Sequence, residues 1–389
     1  MIEWIKHTLL FCISLSICYC ILMFGDWFLK ITLNQSLKKD VAYIEAKKIE
    51  KDRRLFEDLP QRSQALSDGF IPVLYPDIIE NIPLRYPLIA GLPFADTYYC
   101  NEGYGLVKYK SDRFGFRNKD WLWDEDPTRI FIGDSFIHGA CVSNEDTLPV
   151  QLSLKLNANV LNLGMASNGP SHYLTYASLF IPLIQPKFVY LNFYPNDNNQ
   201  RGISLIEEKY VLQKTSIFSA DKIAFSNPRR ITEEGRKAIK YLQQEQHQTL
   251  SGVSNNIQNF VNTFSNHSSL PFLTELVTQK VSGFEDTKRV ILGVKELCDQ
   301  HECELKVSFI PNNYFFRPDT RADGYGDQIS LLTKRLEIPF VDGREFLDRS
   351  KGSLDFAPKG PHLSSLGYKK MAAKIAEKEK ALNDVNIKN

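Results

Sequence analysis

The stretch Arg129-Ile-Phe-Ile-Gly-Asp-Ser-Phe-Ile-His-Gly-Ala140 decides the fold. A short apolar, β-prone run enters Gly133-Asp134-Ser135, and after Gly139 the pattern turns helical. That is the pattern of a buried strand emptying into the N-terminus of a helix, with a serine at the junction. At such a junction backbone N–H groups point outward and the helix dipole favours negative charge, so an oxyanion formed beside the hydroxyl would be stabilised. Gly133 fits a tight turn that lets backbone come close to a substrate. The competing reading is a plain helix cap, since Asp134 and Ser135 are both common caps.

Outward from this stretch the chain alternates strand and helix. Arg129 to Ile132 reads as the first strand, and Thr147 to Leu156 as a helix introduced by Asn144, Glu145 and Asp146. Asn159 to Leu163 is the second strand. Pro170 to Ile184 is a helix with Pro at its start and Pro186 just past its end. Phe188 to Phe193 is the third strand. The alternation resumes with a helix from Asp286 to Gln300, a strand from Glu304 to Ile310, a helix around Gln328 to Leu336 and a short strand at Pro339 to Val341. A last helix runs from about Ser364 to Lys378, with Tyr368, Met371, Ala372 and Ile375 on one face. Strands alternating with helices predict an α/β three-layer sandwich around a central parallel sheet, in which ligands bind beyond the carboxyl ends of the strands.

Three short motifs fall at informative places in this frame. Asn162-Leu-Gly164 ends the second strand, Tyr194-Pro-Asn-Asp197 follows the third, and His362-Leu-Ser-Ser-Leu-Gly-Tyr368 opens the last helix. With the Gly-Asp-Ser block they resemble, over about residues 105 to 380, the SGNH/GDSL hydrolase superfamily. The resemblance implies a flavodoxin-like sheet and a nucleophilic Ser135. It also implies an oxyanion hole built from the Ser135 N–H, Gly164 and Asn196, and His362 as general base. The α/β-hydrolase elbow is absent, because Ile137 stands where its second glycine would be. Of the other histidines, His138 lies one turn past the serine and faces the helix surroundings, while His172, His247 and His267 sit in polar helix or loop contexts.

The chain departs from the family at the third triad member. The usual pattern places Asp three, sometimes two, residues before the His, and here those positions hold Lys359 and Gly360. Asp355, seven residues before His362, and Asp342, at the end of the last strand, are the carboxylates left to orient the imidazole. A backbone carbonyl serving a Ser–His dyad is the alternative. Without a well-placed carboxylate such a site can lose roughly four decades of turnover. Asp197 reads as structural, supporting the loop that aims Asn196.

Composition sets the outer bounds. At 389 residues, 43% hydrophobic and 24% charged, the chain is an ordinary globular protein. Its net charge of +1, with no basic stripe carrying interleaved aromatics, argues against nucleic acid. No cofactor or metal is called for.

From Thr8 to Gly25 no residue is charged, and at helical rise that run approaches the hydrocarbon thickness of a bilayer. Residues 1–30 are therefore expected to be one N-terminal transmembrane helix, a membrane anchor. No small-residue signal-peptide cleavage site follows the run, and Ile17 fits poorly before a lipidated Cys18. Residues 31–59 read as a charged juxtamembrane stalk and 60–126 as an irregular pre-domain packing on the core. Residues 127–384 form the hydrolase-like domain, with an insertion at 198–283 suited to a lid, a substrate cap or a partner surface. Lys30, Lys38, Lys39 and further cations after the run would by the positive-inside rule put the domain in the cytoplasm. The anchored proteins of this superfamily that the chain resembles have an exported, periplasmic or otherwise extracytoplasmic domain, and that is the orientation adopted here.

Cys100, Cys141, Cys298 and Cys303 belong to the soluble part. Their even number allows disulfides in an oxidising compartment and equally four free thiols. Cys298, His301 and Cys303 offer only three metal ligands. The segments Tyr98-Tyr-Cys-Asn-Glu-Gly103, Asp112-Arg-Phe-Gly-Phe-Arg-Asn118 and Gly139-Ala-Cys-Val142 are similar to those of a subset of bacterial membrane-anchored members of the superfamily. That link favours a Cys100–Cys141 bridge, which would clamp the pre-domain beside the active-site loop.

Three functions fit the resemblance. The leading one is an esterase or O-acyltransferase acting on O-acyl esters of cell-envelope glycans. The second is a lysophospholipase-like lipid esterase. The third, motivated by the missing Asp, is a catalytically silent domain that binds glycan or a partner protein.

Overall fold

A computed structural model describes residues 57–73, 90–199, 284–316 and 321–388, together with Ser14 and Ser16. The chain divides into two units, residues 1–59 with 248–280 and residues 60–247 with 281–389; every described strand belongs to the second. The expected anchor, nearly all of the stalk and the insertion beyond Asn199 lie outside the described residues. No helix among the described residues is long and apolar enough to cross a membrane.

A small sheet comes first. β1 (Ile71–Pro72) pairs parallel with β2 (Asp96–Tyr98), which pairs antiparallel with β3 (Lys108–Lys110). Strands of two or three residues are too short to show a period of two, which is why this region reads as irregular in sequence. A 3-10 turn at Asp120–Asp124 leads into the main sheet.

That sheet has five parallel strands, β4 (Arg129–Gly133), β5 (Val160–Gly164), β6 (Phe188–Phe193), β7 (Glu304–Phe309) and β8 (Phe340–Asp342), in the spatial order β5-β4-β6-β7-β8. Counted from β4 this is 2-1-3-4-5, the flavodoxin-like order, and it reverses direction between β4 and β6. Both faces are covered. Ile130 and Ile132 join one apolar cluster with α3 (Pro170–Ile184) and α4 (Phe284–Gln300), and Phe131 joins the other with α2 (Leu148–Leu156) and α6 (Ser365–Lys388). Burial on both sides explains why Ile130-Phe-Ile132 is a continuous apolar run and not an alternating one. α5 (Arg321–Arg335) precedes β8.

The expected strands and helices recur with shifted ends. α3 keeps its limits, α5 starts two turns early, and α6 runs on to Lys388. One local expectation fails. The helix after β4 does not begin past Gly139; it is the single turn α1 (Ser135–His138), and Gly139, at φ 78°, ends it. Residues 140–147 then form a loop before α2.

Candidate active site

β4 delivers Ser135 to the carboxyl edge of the sheet, at the reversal point of strand order. Asp134 caps the turn: its Oδ1 accepts the Phe136 N–H at 2.9 Å. The cap and the serine hydroxyl thus sit on adjacent residues, and Ser135 stays half-buried in an otherwise buried stretch. Ser135 opens α1, so its N–H lies among those with no intrahelical acceptor.

His362 stands at the N-terminal approach to α6, and its Nε2 lies 2.9 Å from Ser135 Oγ. Phe136 packs against the imidazole, with ring centroids 4.7 Å apart. The structure thus brings the two expected residues Ser135 and His362 together.

The carboxylate behind the imidazole is Glu102, which the sequence reading missed. Glu102 Oε1 lies 2.7 Å from His362 Nδ1, and Oε2 accepts the backbone N–H of His362 at 3.2 Å. The Glu102 carbonyl accepts the Lys359 N–H at 3.0 Å, so the strap from 359 to 362 is laced onto this one residue. A carboxylate on Nδ1 keeps the ring proton there and leaves the Nε2 lone pair for the serine proton. Gly360 makes the arrangement fit: a Cβ on it would lie 1.7 Å from the Glu102 Cδ. The strap before His362 carries Lys359 and Gly360, and Glu102 reaches the gap at Gly360 from the β2–β3 hairpin.

Neither expected acid reaches the imidazole. Asp355 is buried and accepts from the Asp348 N–H and from Lys370 Nζ, each at 2.8 Å, tying the preceding loop to α6. Asp342 is held by Arg344, with Nη2 at 2.6 Å from its Oδ2.

The two expected oxyanion residues part ways. The Gly164 N–H is already given to Asn162 Oδ1 at 2.9 Å. What Gly164 supplies is space, since a Cβ there would meet the His138 N at 2.5 Å and the Ile137 carbonyl carbon at 2.6 Å. Its absence lets α1 lie against β5. Asn196 sits half-buried on the 3-10 turn Pro195–Asn199 after β6, and its buried Oδ1 has no hydrogen-bond partner among the described residues. Asp197 braces this turn by accepting the Tyr173 hydroxyl at 2.8 Å and the Tyr194 N–H at 2.9 Å. Burial, then the nearby Asp134 charge, raises the Asp197 carboxyl well above its ordinary value. Tyr194 packs 4.2 Å from the Phe136 ring, so this turn flanks α1.

His138 is fully buried and plays another part. The Ala166 N–H donates to Nδ1 at 3.3 Å, which leaves the proton on Nε2, 2.8 Å from the Tyr109 hydroxyl. Burial and then the Arg117 charge drive its pKa well below the ordinary value, so it is a neutral link between the pre-domain and the core.

Two disulfides join Cys100 to Cys141, with Cα atoms 5.0 Å apart, and Cys298 to Cys303, at 4.5 Å. The second removes both thiolates from any metal site with His301. Glu102, Cys141 and His362 also cluster, but the cysteine sulfur is bonded and the other two groups bond each other, so the cluster fits a triad and not a metal.

No family model and no curated protein matches the chain. Among solved structures it is similar to a GDSL-like lipase from Bacteroides thetaiotaomicron, with 12% identity, TM-score 0.36, and coverage of 66% of this chain and 90% of that one. It is also similar to a Clostridium thermocellum family 3 carbohydrate esterase (12%, TM-score 0.35, 64% and 94%) and to a member of the lipolytic G-D-S-L family from Veillonella parvula (12%, TM-score 0.34, 64% and 95%).

Proposed function

We propose that this protein is a serine hydrolase of the SGNH type that cleaves O-acyl esters. The observation that carries the proposal is the unbroken line Glu102–His362–Ser135, with 2.7 and 2.9 Å between the reacting heavy atoms. A serine hydroxyl is a weak nucleophile until a base takes its proton, and an imidazole held in one tautomer does that near neutral pH. His362 Nε2 takes the Ser135 proton as Oγ attacks the ester carbonyl. The tetrahedral oxyanion is met by the Ser135 N–H and the Asn196 side-chain amide, and Glu102 stabilises the imidazolium. The imidazolium returns its proton to the departing alkoxide, leaving an acyl-serine. Water, or an acceptor hydroxyl in a transferase, repeats the sequence in reverse.

The Glu102 carboxylate supplies what the strap before His362 lacks, and this favours an enzyme over a silent binding domain. A glycan as the acyl carrier rests on the family resemblance and on no residue described above. A bilayer tether through Thr8 to Gly25 rests on the length of that uncharged run.

The test is labelling of the full chain by a fluorophosphonate. Labelling that disappears in Ser135→Ala and falls steeply in His362→Ala supports the reading; a folded protein that does not label sinks it.

A further inference from the structure

We infer that the Cys100–Cys141 disulfide is a positioning device for the catalytic carboxylate, so that the triad is complete only in the oxidised protein. The inference rests on the activity proposed above.

Glu102 lies two residues past Cys100, and Cys141 three residues past the end of the nucleophile's turn. The Cys141 sulfur, a Glu102 carboxylate oxygen and a His362 ring nitrogen all lie within 4.8 Å of one another. The bond therefore runs beside the catalytic line and joins the segment that brings Glu102 to the segment that leaves Ser135.

The two sides of the bond are held unequally. The Cys141 side has a second fastening in Arg117, which is buried. Its guanidinium donates to the Gly139 carbonyl at 2.7 Å, the Val142 carbonyl at 2.8 Å and Asn144 Oδ1 at 2.8 Å. The Glu102 side is a hairpin loop, closed at its base by the Tyr99 N–H to the Val107 carbonyl and the Val107 N–H to the Cys100 carbonyl. Within it Asn101 Oδ1 accepts from the Gly103 and Gly105 N–H groups, which shapes the loop without fixing it to the core. It is also tied to Gln61, at 3.1 and 3.4 Å, and to the strap, through the Lys359 N–H on the Glu102 carbonyl and through the His362 N–H and ring on its carboxylate. Breaking the disulfide thus leaves the acid's segment to its hydrogen bonds with Gln61 and with the strap that it orients, while the nucleophile's loop keeps the buried Arg117.

Forming the bond takes two electrons and two protons from the paired thiols and passes them, by thiol–disulfide exchange, to a disulfide oxidant. Cys100 is the more exposed partner and Cys141 is buried, so exchange begins at Cys100. A chain held in a reducing compartment would carry Ser135 and His362 without a fixed acid, and would become active on reaching an oxidising one.

The experiment measures the fluorophosphonate labelling rate of the full chain before and after reduction by a phosphine, with thiol alkylation and mass measurement to establish which cysteines are free. The oxidised wild type should label fast and the reduced protein about 10²-fold more slowly, the cost of a displaced catalytic group. Recovery on reoxidation and an unchanged circular dichroism spectrum should accompany it. Cys100→Ser/Cys141→Ser should match the reduced protein, and Cys298→Ser/Cys303→Ser the oxidised one. A general loss of structure is separated from positioning by Glu102→Gln: reduction should add almost nothing in that background. Equal losses in wild type and Glu102→Gln overturn the inference, as does full labelling that survives proven reduction of Cys100–Cys141. A serine that stays unlabelled even when oxidised overturns the proposed activity along with it.

Discussion

At the scale of single residues the site turns on an exchange between positions 102 and 360. A carboxylate must sit on His362 Nδ1, and either the strap before the histidine or another segment can bring it. Here Gly360 leaves the space and Glu102 occupies it, accepting from both the ring and the backbone of His362. Glu102→Gln keeps the shape but offers the ring an amide, which no longer fixes the tautomer or balances the imidazolium. Turnover on an activated ester should fall by up to roughly 10⁴-fold, with KM little changed. Gly360→Ala makes the converse test. Its methyl would lie 1.7 Å from the Glu102 Cδ, so the acid must leave, and steady-state rates should fall toward those of Glu102→Gln although no reacting group is altered. Activity close to wild type in Gly360→Ala would mean that Glu102 is not needed on the ring. Ser135 and His362 were legible because each sits in a short motif beside its own strand or helix. Glu102 was not, since its motif lies in no regular element. Yet a signal existed: it is the one carboxylate between Asp96 and Asp112, two residues from a cysteine that pairs across to the serine's loop.

At the scale of elements, the pre-domain is part of the catalytic core in all but sequence position. Asp112-Arg-Phe-Gly-Phe-Arg-Asn118 stands out in the sequence without saying why, and the structure gives tasks to Asp112, Arg117 and Asn118. Asp112, fully buried, accepts from the Phe114 and Phe116 N–H groups, Asn118 Nδ2 and Trp123 Nε1. Asn118 in turn pairs with both backbone groups of Asn162 and so extends the edge of β5. Arg117 reaches past His138 to hold the loop behind Ser135. Such ties join residues far apart in sequence, and a periodicity argument is blind to them. Arg117→Met keeps the stem but strips the loop carbonyls of their donors in a buried place. It should lower stability by about 2–4 kcal/mol, on the scale of one to three unpaired buried groups, measured by denaturant unfolding of the oxidised protein. A loss under ~0.5 kcal/mol would show that the loop holds itself.

At the scale of the whole molecule, the order β5-β4-β6-β7-β8 opens a crevice beside β4, and Glu102, Ser135 and His362 come together from distant parts of the chain. A parallel sheet with both faces covered follows from alternation and burial and could be anticipated, whereas its order was implied only by the resemblance; the assembly of distant loops above it could not be anticipated. Folding also buries histidines the chemistry does not use, and they set its response to acid. His172 is half-buried at the start of α3, with Nε2 shielded from solvent and Nδ1 accepting the Gly169 N–H at 3.3 Å, and desolvation of the ring pushes its pKa down to about 4 from 6.5. Below pH 6.5 the unfolded chain's imidazole binds a proton that the folded one refuses. Stability therefore falls as pH drops, until the folded group itself protonates near 4. Across that window the loss from this one residue is up to ~3 kcal/mol. His138, driven down by burial and Arg117, adds to the same slope, while Asp112, pushed up to about 6 by burial, opposes it between its ordinary 3.8 and 6. A wild-type curve alone would mix these terms. The difference between wild type and His172→Gln isolates the histidine: the two stabilities should converge as pH falls from 6.5 to 4, because the variant has no proton to refuse. Parallel curves across that range would mean that the His172 ring is protonated, or open to water, in the folded protein.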